Sequence, residues 1–477
     1  MREYEATIAH SSGQLPHGVA QPTLSPSEIN SLRKEAGIID QTIGTLEKQL
    51  LQLKSRRNSI HVKLSSLVYP VNTLPVEVLC HIFRETVSSS ILSEVNATLL
   101  SITAVCQMWR SVAIADPHLW TKTCYILRAP IANYHDPLFY HFLKRTQGLP
   151  IVVYIDERGS AECSLPPALF DSCRQWTEAD LSDADRDGHD FRSFRLRSPD
   201  TVLELPNLTK LTLDIDTSTQ YHVYQTFSNA PRLRELAISY PNLVLNLGFP
   251  VHQLQKLTIL HSTSCRQVLF LLPHLRVLEE LVIESYLSND ANANQHIIEM
   301  RLLTTLHLLG ADTCALLRHL SLPHLTTLGL ANFDHHDAGV LIPGCLLRSS
   351  ANVTSLSLTN SYYTDFEEVF RSPILRTSVR NWTVKSLKAT GREMKALAAL
   401  LARADFLPNL ESLNLLMLSP LLLRPFLDGL RRRVANSVSR GLRHELKLRQ
   451  LLVQLSGGMS AEDTRLLREL QQSLDFL

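Results

Sequence analysis

The amino-acid sequence predicts an α/β fold in which a long N-terminal helix and a compact helical block precede a stack of parallel strands and a helical C-terminal tail. Between residues 25 and 68, apolar residues recur at alternating steps of three and four, the spacing of an amphipathic helix. Between residues 208 and 415 the pattern LxxLxL recurs every 21–31 residues, as in proteins that stack similar units side by side. The 477 residues also exceed one ordinary core, so several structural units are expected.

The composition argues against nucleic acid and membranes as partners. The 47 Lys and Arg residues nearly cancel the 46 Asp and Glu residues, so the chain lacks a net charge that would attract polyanions. No apolar stretch is long enough to span a bilayer, and the N-terminus has no apolar signal segment. Eight scattered cysteines have no metal-site spacing and are expected to be reduced thiols. We therefore expect a cytoplasmic or nuclear protein.

The first 68 residues predict a disordered leader followed by one long helix. Residues 1–24 mix Ser, Gly, Pro and His without periodicity, and residues 25–68 carry the helical pattern. Ser25 or Ser27 is suited to cap the helix, with Pro26 in its first turn. Apart from Arg57, the heptad seam is apolar: Ile29, Leu32, Ala36, Ile39, Ile43, Leu46, Leu50, Leu53, Ile60, Leu64 and Leu67. Two interpretations stay open, a coiled-coil homodimer and a helix folded against its own downstream domain.

Residues 69–125 predict a compact helical block. Pro75 is suited to open a helix, because its missing N–H costs nothing in the first turn. A second helix is predicted over the apolar residues from Leu99 to Trp109, and Pro117 ends the block. A unit this small cannot bury so many large apolar groups alone. It is expected to lean on a partner or on the neighbouring repeats.

This block resembles the F-box. The order LPxExLxxIF, then AVCxxWR, then LW is the family's pattern, and a heptad helix running into it resembles fungal F-box proteins. The resemblance implies that the block binds a Skp-type adaptor, which bridges to a cullin scaffold. The residues it implies as adaptor-binding are Leu74, Pro75, Glu77, Leu79, Ile82, Phe83, Val105, Cys106, Trp109, Arg110, Leu119 and Trp120.

Residues 150–418 resemble an irregular leucine-rich-repeat solenoid with parallel strands. The copies begin at residues 208, 233, 254, 278, 303, 325, 353 and 410, with weaker ones at 176 and 379. Residues two apart in a strand share a side, so Leu211 and Leu213 are predicted to point inward. The family's asparagine after the strand is replaced, for example by Asp216. Curvature is therefore expected to be irregular.

The residues between the leucines are predicted to face outward on the concave side of the repeats. The predicted target-binding residues are Lys210, Asp214, Lys256, Glu280, Glu284 and His307. This face turns acidic near Glu280 and Glu284 and becomes small and apolar around Gly329. It is expected to fit a basic or polar segment of an unknown protein target, anchored by an apolar group.

The remaining motifs give weaker signals. Residues 419–477 lose the repeat and predict a helical cap whose basic stretch, between Arg424 and Arg449, either faces solvent or binds nucleic acid. Asp183 to Gly188 imitate a calcium loop, but position twelve is Phe194 rather than a carboxylate. His335 and His336 are adjacent and diverge in most backbones. We therefore predict no metal site, no cofactor and no catalytic residue, and a protein that is not an enzyme.

These observations favour a substrate receptor of a Skp–cullin–F-box type ubiquitin ligase. The F-box would bind the adaptor and the repeat face would bind the target. An alternative is an adaptor-binding coiled-coil scaffold that acts outside a ligase. A third class is a nucleic-acid-binding solenoid that uses the basic tail.

Overall fold

The structure is a computed structural model, and the chain divides into two compact units, residues 1–78 and 79–477. The described residues are 25–65, 70–90, 94–128, 137–158, 169, 171–181, 202–213, 227–241, 244, 248–288, 296–332, 335–360, 369–370, 372–387, 391–403, 405–418, 420–439, 448, 450–455 and 460–475. The predicted leader, Asp214 and the calcium-like run from Asp183 lie outside them.

The first unit consists mainly of helix α1, Pro26–Ser65. Ser25 and Glu28 form a capping box: the Ser25 N–H donates to Glu28 Oε2 at 2.8 Å and the Glu28 N–H donates to Ser25 Oγ at 3.3 Å. The backbone hydrogen bond from Ser25 lowers the pKa of Glu28. The predicted start of the helix is therefore confirmed, with Ser25 as its cap.

The helices that follow alternate with strands along most of the chain. They are α2 (Val76–Ser89), α3 (Val95–Val105), α4 (Gln107–Ala115), α5 (Pro137–Arg145), α6 (Cys265–Leu271), α7 (His335–Ser349), α8 (Pro373–Ser378), α9 (Gly391–Leu401), α10 (Pro420–Ser439) and α11 (Ala461–Asp475). Short 3₁₀ helices cover Pro70–Thr73, Pro117–Trp120, Cys173–Gln175, Val251–Gln253, Leu272–His274 and Thr313–His319.

Thirteen parallel strands form one sheet in which spatial order follows chain order. They are β1 (Lys122–Arg128), β2 (Ile151–Arg158), β3 (Trp176–Leu181), β4 (Lys210–Leu213), β5 (Glu235–Ile238), β6 (Lys256–Ile259), β7 (Glu280–Ile283), β8 (Thr305–Leu308), β9 (Thr327–Ala331), β10 (Ser355–Thr359), β11 (Asn381–Lys385), β12 (Ser412–Leu418) and β13 (Gln450–Leu455). Two small parallel pairs lie outside this sheet, one of Thr263–Ser264 with Leu287–Ser288 and one of Ile298–Glu299 with Leu320–Ser321.

The core lies on the leucine side of this sheet. Leu211 and Leu213 are fully buried, as the LxL spacing predicts, and the equivalent pairs Leu236–Ile238 and Leu257–Ile259 are buried beside them. Burying one such side chain contributes about 1.5–3 kcal/mol. Because one repeat has no neighbour to cover its leucines, the stack is what makes the pattern stable.

All ten predicted copies of LxxLxL contain a strand of the sheet, from β3 to β12. The sequence analysis missed the strands at both ends. β1 and β2 precede the first copy, and β1 begins within the predicted helical block. β1 and β2 lack the LxxLxL pattern, so their positions depend on pairing with the neighbouring strand.

The C-terminal segment is helical as predicted, in α10 and α11, and holds between them a strand that the sequence analysis missed. β13 pairs in parallel with β12, with a register shift near Leu416. Residues 419–477 therefore extend the sheet by one strand as well as covering it. No helix among the described residues has the length and apolar character needed to cross a membrane.

Candidate functional site

The N-terminal end of α2 carries the first predicted adaptor-binding residues. Pro75 immediately precedes the helix and its carbonyl accepts the Val78 N–H at 3.1 Å. Pro75 and Glu77 are exposed, and Leu74 is half-buried. The polypeptide thus presents a rigid proline turn and a carboxylate at the start of the helix.

The second predicted helix of the block is two helices, α3 and α4, which meet at Cys106. Cys106 is extended (φ −157°, ψ 171°), and its sulfur accepts the Trp109 N–H at 3.4 Å. The thiol therefore caps α4, and the apolar run from Leu99 to Trp109 bends where a single helix was expected. Cysteine is not a usual cap, so helix-start rules did not indicate the break.

An aromatic pair joins α2 to α4. The rings of Phe83 and Trp109 lie 4.8 Å apart at 54°. Phe83 is buried and Trp109 half-buried. The Trp109 indole N–H is enclosed and has no hydrogen-bond acceptor among the described residues. Such tilted pairs contribute about 0.5–1.5 kcal/mol beyond the area they bury.

A bidentate ion pair joins α2 to the turn before Pro117. Arg84 Nε and Nη2 donate to the two carboxylate oxygens of Asp116, each at 2.8 Å. Burial alone would raise the pKa of Asp116, but the hydrogen bonds and charge of Arg84 outweigh it, and the pKa is lowered. Asp116 also accepts the His118 N–H at 3.2 Å. Sequence reasoning missed this pair: Asp before Pro signals a cap, but nothing local indicates its partner 32 residues upstream.

Trp120 anchors the end of the block. Its indole N–H donates to the Ala113 carbonyl at 2.8 Å, and its ring lies 5.0 Å from that of Phe142 in α5. The Arg145 guanidinium covers the Trp120 ring at 4.4 Å. Trp120 is fully buried, so it connects α4 to the chain beyond the block.

The structure divides the twelve predicted adaptor-binding residues into two groups by burial. Leu79, Phe83, Leu119 and Trp120 are at most 1% exposed, so they pack the block from within. The remaining eight are exposed or half-buried: Leu74, Pro75, Glu77, Ile82, Val105, Cys106, Trp109 and Arg110. Only this second group offers direct contacts to a partner.

Comparison with known families decides what this block is. A family model described as F-box-like matches residues 71–126. The chain contains an F-box-like domain. No curated protein matches the chain.

The F-box also exposes several large apolar side chains to solvent. Ile82 is 41%, Leu100 43%, Val105 59% and Ile114 39% exposed. Arg110 is held by a hydrogen bond from its Nε to the Thr103 carbonyl at 2.8 Å. The predicted adaptor-binding residues include Ile82 and Val105 but not Leu100 or Ile114, because the exposure of the latter two depends on how α3 and α4 are oriented.

On the sheet beyond the F-box, charged residues of alternating sign stand opposite one another on five neighbouring strands. The register places Glu178, Lys210, Glu235, Lys256 and Glu280 in one row. The Lys256 ammonium lies 2.7 Å from the Glu280 carboxylate, and the Lys210 ammonium lies 3.9 Å from that of Glu178. The acidic character predicted at Glu280 is therefore offset by Lys256, whereas Glu284 is exposed beyond the strand.

In the middle of the polar face of the sheet, the side chains between the leucines are more buried than their sequence positions predict. Thr258 and Val282 are buried, and His307 is half-buried beside Gly329 on the next strand. A Cβ at position 329 would overlap His307 Nδ1, so the missing side chain leaves room for the imidazole. Burial lowers the pKa of His307; Glu280 opposes this effect and Lys256 adds to it.

Beyond β7 the same row becomes uncharged. Thr305, Thr327, Ser355, Asn381 and Ser412 continue it strand by strand. Among the described residues no group of three His, Cys, Asp or Glu side chains is placed to hold a metal ion. The face thus offers charges, hydroxyls and amides for binding.

Proposed function

We propose that this protein is the substrate-recognition subunit of a Skp–cullin–F-box type ubiquitin ligase. The single observation that carries the proposal is the F-box-like match at residues 71–126 followed by a sheet with an accessible polar face. F-box domains typically bind Skp-type adaptors, and the adaptor would connect the chain to a cullin. The chain itself would catalyse nothing: it would hold a target near a ubiquitin-conjugating enzyme, where proximity accelerates transfer.

The adaptor contacts are proposed to come from the exposed group of F-box residues. Pro75 and Glu77 would fix the approach, and Ile82 and Val105 would supply apolar contact. The burial of Leu79, Phe83, Leu119 and Trp120 limits them to holding the helices in place. This division follows the general anatomy of interfaces, in which a few exposed apolar anchors provide most of the affinity.

The target contacts are proposed to lie on the polar face of the leucine-rich-repeat-like sheet. Lys256 and Glu280 already form an ion pair with each other. They would therefore determine the position of a bound partner along the strands, and would add little to its binding affinity. Glu284 and His307 stand next to this pair and would make the direct contacts. A polar segment carrying at least one basic group fits this surface best. Such a receptor would work in the cytoplasm or nucleus.

The scaffold alternative uses the same F-box but needs no cullin. The apolar seam of α1 suits self-association and favours this role. The two roles differ in the proteins that co-purify: a ligase subunit brings both adaptor and cullin, and a scaffold brings the adaptor alone.

Co-purification with the tagged full-length chain separates the two roles. Under proteasome inhibition we expect the adaptor, a cullin and a ubiquitylated target to be recovered together. Adaptor without cullin would contradict the ligase role and support the scaffold.

Variants of the sheet face test the target contacts in the same experiment. Glu284→Lys combined with His307→Ala should lose the target while adaptor and cullin remain. Lys395→Glu, an exposed charge reversal on helix α9, is the control and should retain all three. Equal recovery of the target by both variants would show that the polar face of the sheet is not the target-binding site.

A further inference from the structure

Helix α1 exposes an apolar seam along its whole length. Along the seam Ile43 is 48%, Leu46 58%, Leu50 51% and Leu53 63% exposed. With 40 residues the helix is about 60 Å long. A continuous apolar row of this size is costly in water and marks a contact surface.

The charges that flank the seam are sorted along the helix. Adjacent to it, the first half carries the acids Glu28, Glu35, Asp40 and Glu47, and the second half carries the bases Lys54, Arg56 and Lys63. Arg33 is the exception. Counting all ionised groups, residues 26–47 hold four acids and two bases, a net charge of −2, and residues 48–65 hold five bases and no acid, a net charge of +5.

This asymmetry decides how the seam can be covered by a second copy. Two parallel helices would set +5 against +5 over their second halves. Two antiparallel helices set each basic half against the acidic half of the other. Charges at positions flanking a coiled-coil seam determine partner orientation.

We propose that two copies of this chain associate through α1 as an antiparallel helical pair. The register that pairs the longest apolar row is centred on residue 48, so that Leu46 of one copy meets Leu50 of the other. Ala36 then meets Ile60, and Ile43 meets Leu53. The seam of each copy is thus covered by α1 of the other copy, which runs in the opposite direction.

The interruption of the seam at Arg57 supports this orientation. In a parallel pair the two Arg57 side chains would share one layer, with like charges in contact. In the antiparallel register Arg57 faces Ile39 of the other copy, next to Asp40. A carboxylate then lies within reach of the only charged group in the seam.

The arrangement separates the two F-boxes. Each copy leads from its Ser65 end into an F-box, and in this register the two Ser65 ends lie about 51 Å apart, 34 residues at 1.5 Å each. Two adaptors would therefore be bound at opposite ends without collision. Self-association does not depend on the proposed ligase role.

Charge reversal on the full-length chain tests the orientation. Light scattering should give twice the chain mass of 53.7 kDa for the wild type. Arg56→Glu with Lys63→Glu should give a single chain mass, because both residues lie on the side of the seam that faces Glu35 of the other copy and the reversed charges now repel it. Adding Glu35→Lys to that variant should restore twice the mass.

The control reverses two charges on the side of α1 away from the seam, Lys34→Glu with Lys48→Glu, and should stay dimeric. Helix content by circular dichroism and adaptor pull-down should be equal in all variants, which separates loss of pairing from loss of folding or of F-box function. A monomeric wild type overturns the proposal. A dimer that persists in Arg56→Glu/Lys63→Glu overturns it as well, since parallel helices would gain from that change.

Disulfide trapping tests the register. Ala36→Cys alone should give no covalent dimer, because its counterpart lies about 36 Å away, 24 residues at 1.5 Å each. Ala36→Cys with Ile60→Cys should give one under mild oxidation. A covalent dimer from the single variant would indicate parallel helices and overturn the proposal.

Discussion

At the residue scale, buried or half-buried charges hold separate parts of the chain together. Arg433 in α10 is buried, and its guanidinium donates to the carbonyls of Phe406 and Leu407 at 2.7 Å each. Leu407 has a left-handed backbone (φ 48°), which is strained for a leucine. The guanidinium therefore satisfies carbonyls in a turn that has no glycine.

In the described part of the basic C-terminal stretch, Arg424 is paired with carboxylates. Arg424 contacts Asp428, Glu462 and Asp463 at 3.5, 3.0 and 3.3 Å. Of the described basic residues in this stretch, Arg431 and Arg432 are exposed. The contacts of Arg424 and Arg433 support the interpretation of α10 as a capping helix.

The Arg84–Asp116 pair predicts a pH dependence of stability. Because the pKa of Asp116 is lowered in the folded chain, its contribution is present above the unfolded value, about 4, and is lost as the pH falls through the lower folded value. Arg84→Ala should cost about 1–3 kcal/mol at pH 7, a discounted range since Arg84 is 46% exposed. Thermal unfolding at pH 7 and pH 3 measures both effects. An equal cost at the two pH values would contradict the assignment.

Gly329 predicts a steric coupling with His307. Gly329→Ala should destabilise the sheet by about 1–3 kcal/mol, because the new methyl group overlaps the imidazole. His307→Ala in the same chain should recover most of the loss. Denaturant unfolding of the two single variants and the double variant gives the coupling free energy. Additive costs would show that the ring does not occupy this space.

At the element scale, the strands were predictable wherever they carry the repeat. The LxxLxL spacing located β3 to β12, since alternating leucines can be buried only in a strand that has neighbours. β1 and β2 lack this spacing, and their structure depends on pairing at the end of the sheet. β13 carries a variant of it, Leu448, Leu451 and Val453, which pairs with β12 in the same register; the sequence analysis missed this copy. The break at Cys106 was equally hidden, because a thiol cap has no common sequence signature.

The sequence predicted which residues belong to the F-box, but not which of them pack inside it and which face solvent. Their order along the chain matched the family, and the family match confirmed the domain. Whether a residue faces solvent or core depends on helix rotation, which a motif does not encode. Leu100 and Ile114 are exposed although they belong to no motif.

The added strand β13 predicts that the C-terminal segment is indispensable. Removing residues 419–477 would expose the edge of β12 and the face of α9 that packs on α10. An uncovered parallel edge pairs with other chains. We expect the truncated chain to aggregate, whereas removal of residues 1–24 should leave it dispersed. Sedimentation of the two truncated chains after expression measures this. A dispersed, cooperatively folding chain that ends at residue 418 would show that β13 is dispensable.

At the scale of the whole molecule, an F-box-like domain is followed by a sheet of thirteen parallel strands. Trp120 links the F-box to the chain beyond it, because it donates a hydrogen bond to Ala113 of α4, contacts Phe142 of α5 and lies two residues before β1. The sequence predicted this order of parts correctly. It could not show that Lys256 neutralises Glu280, because residues 24 apart meet only through strand register.

The central claim is that the F-box binds a Skp-type adaptor, and titration calorimetry of the purified full-length chain with purified adaptor tests it most directly. We predict one adaptor per chain. Leu74→Ala with Pro75→Ala should weaken binding by about 2 kcal/mol or more, roughly 30-fold in Kd, with unchanged thermal unfolding. Val71→Ala, an exposed change outside the motif, should bind like the wild type. No heat of binding from the wild-type chain, or equal affinity of the double variant, would contradict the account.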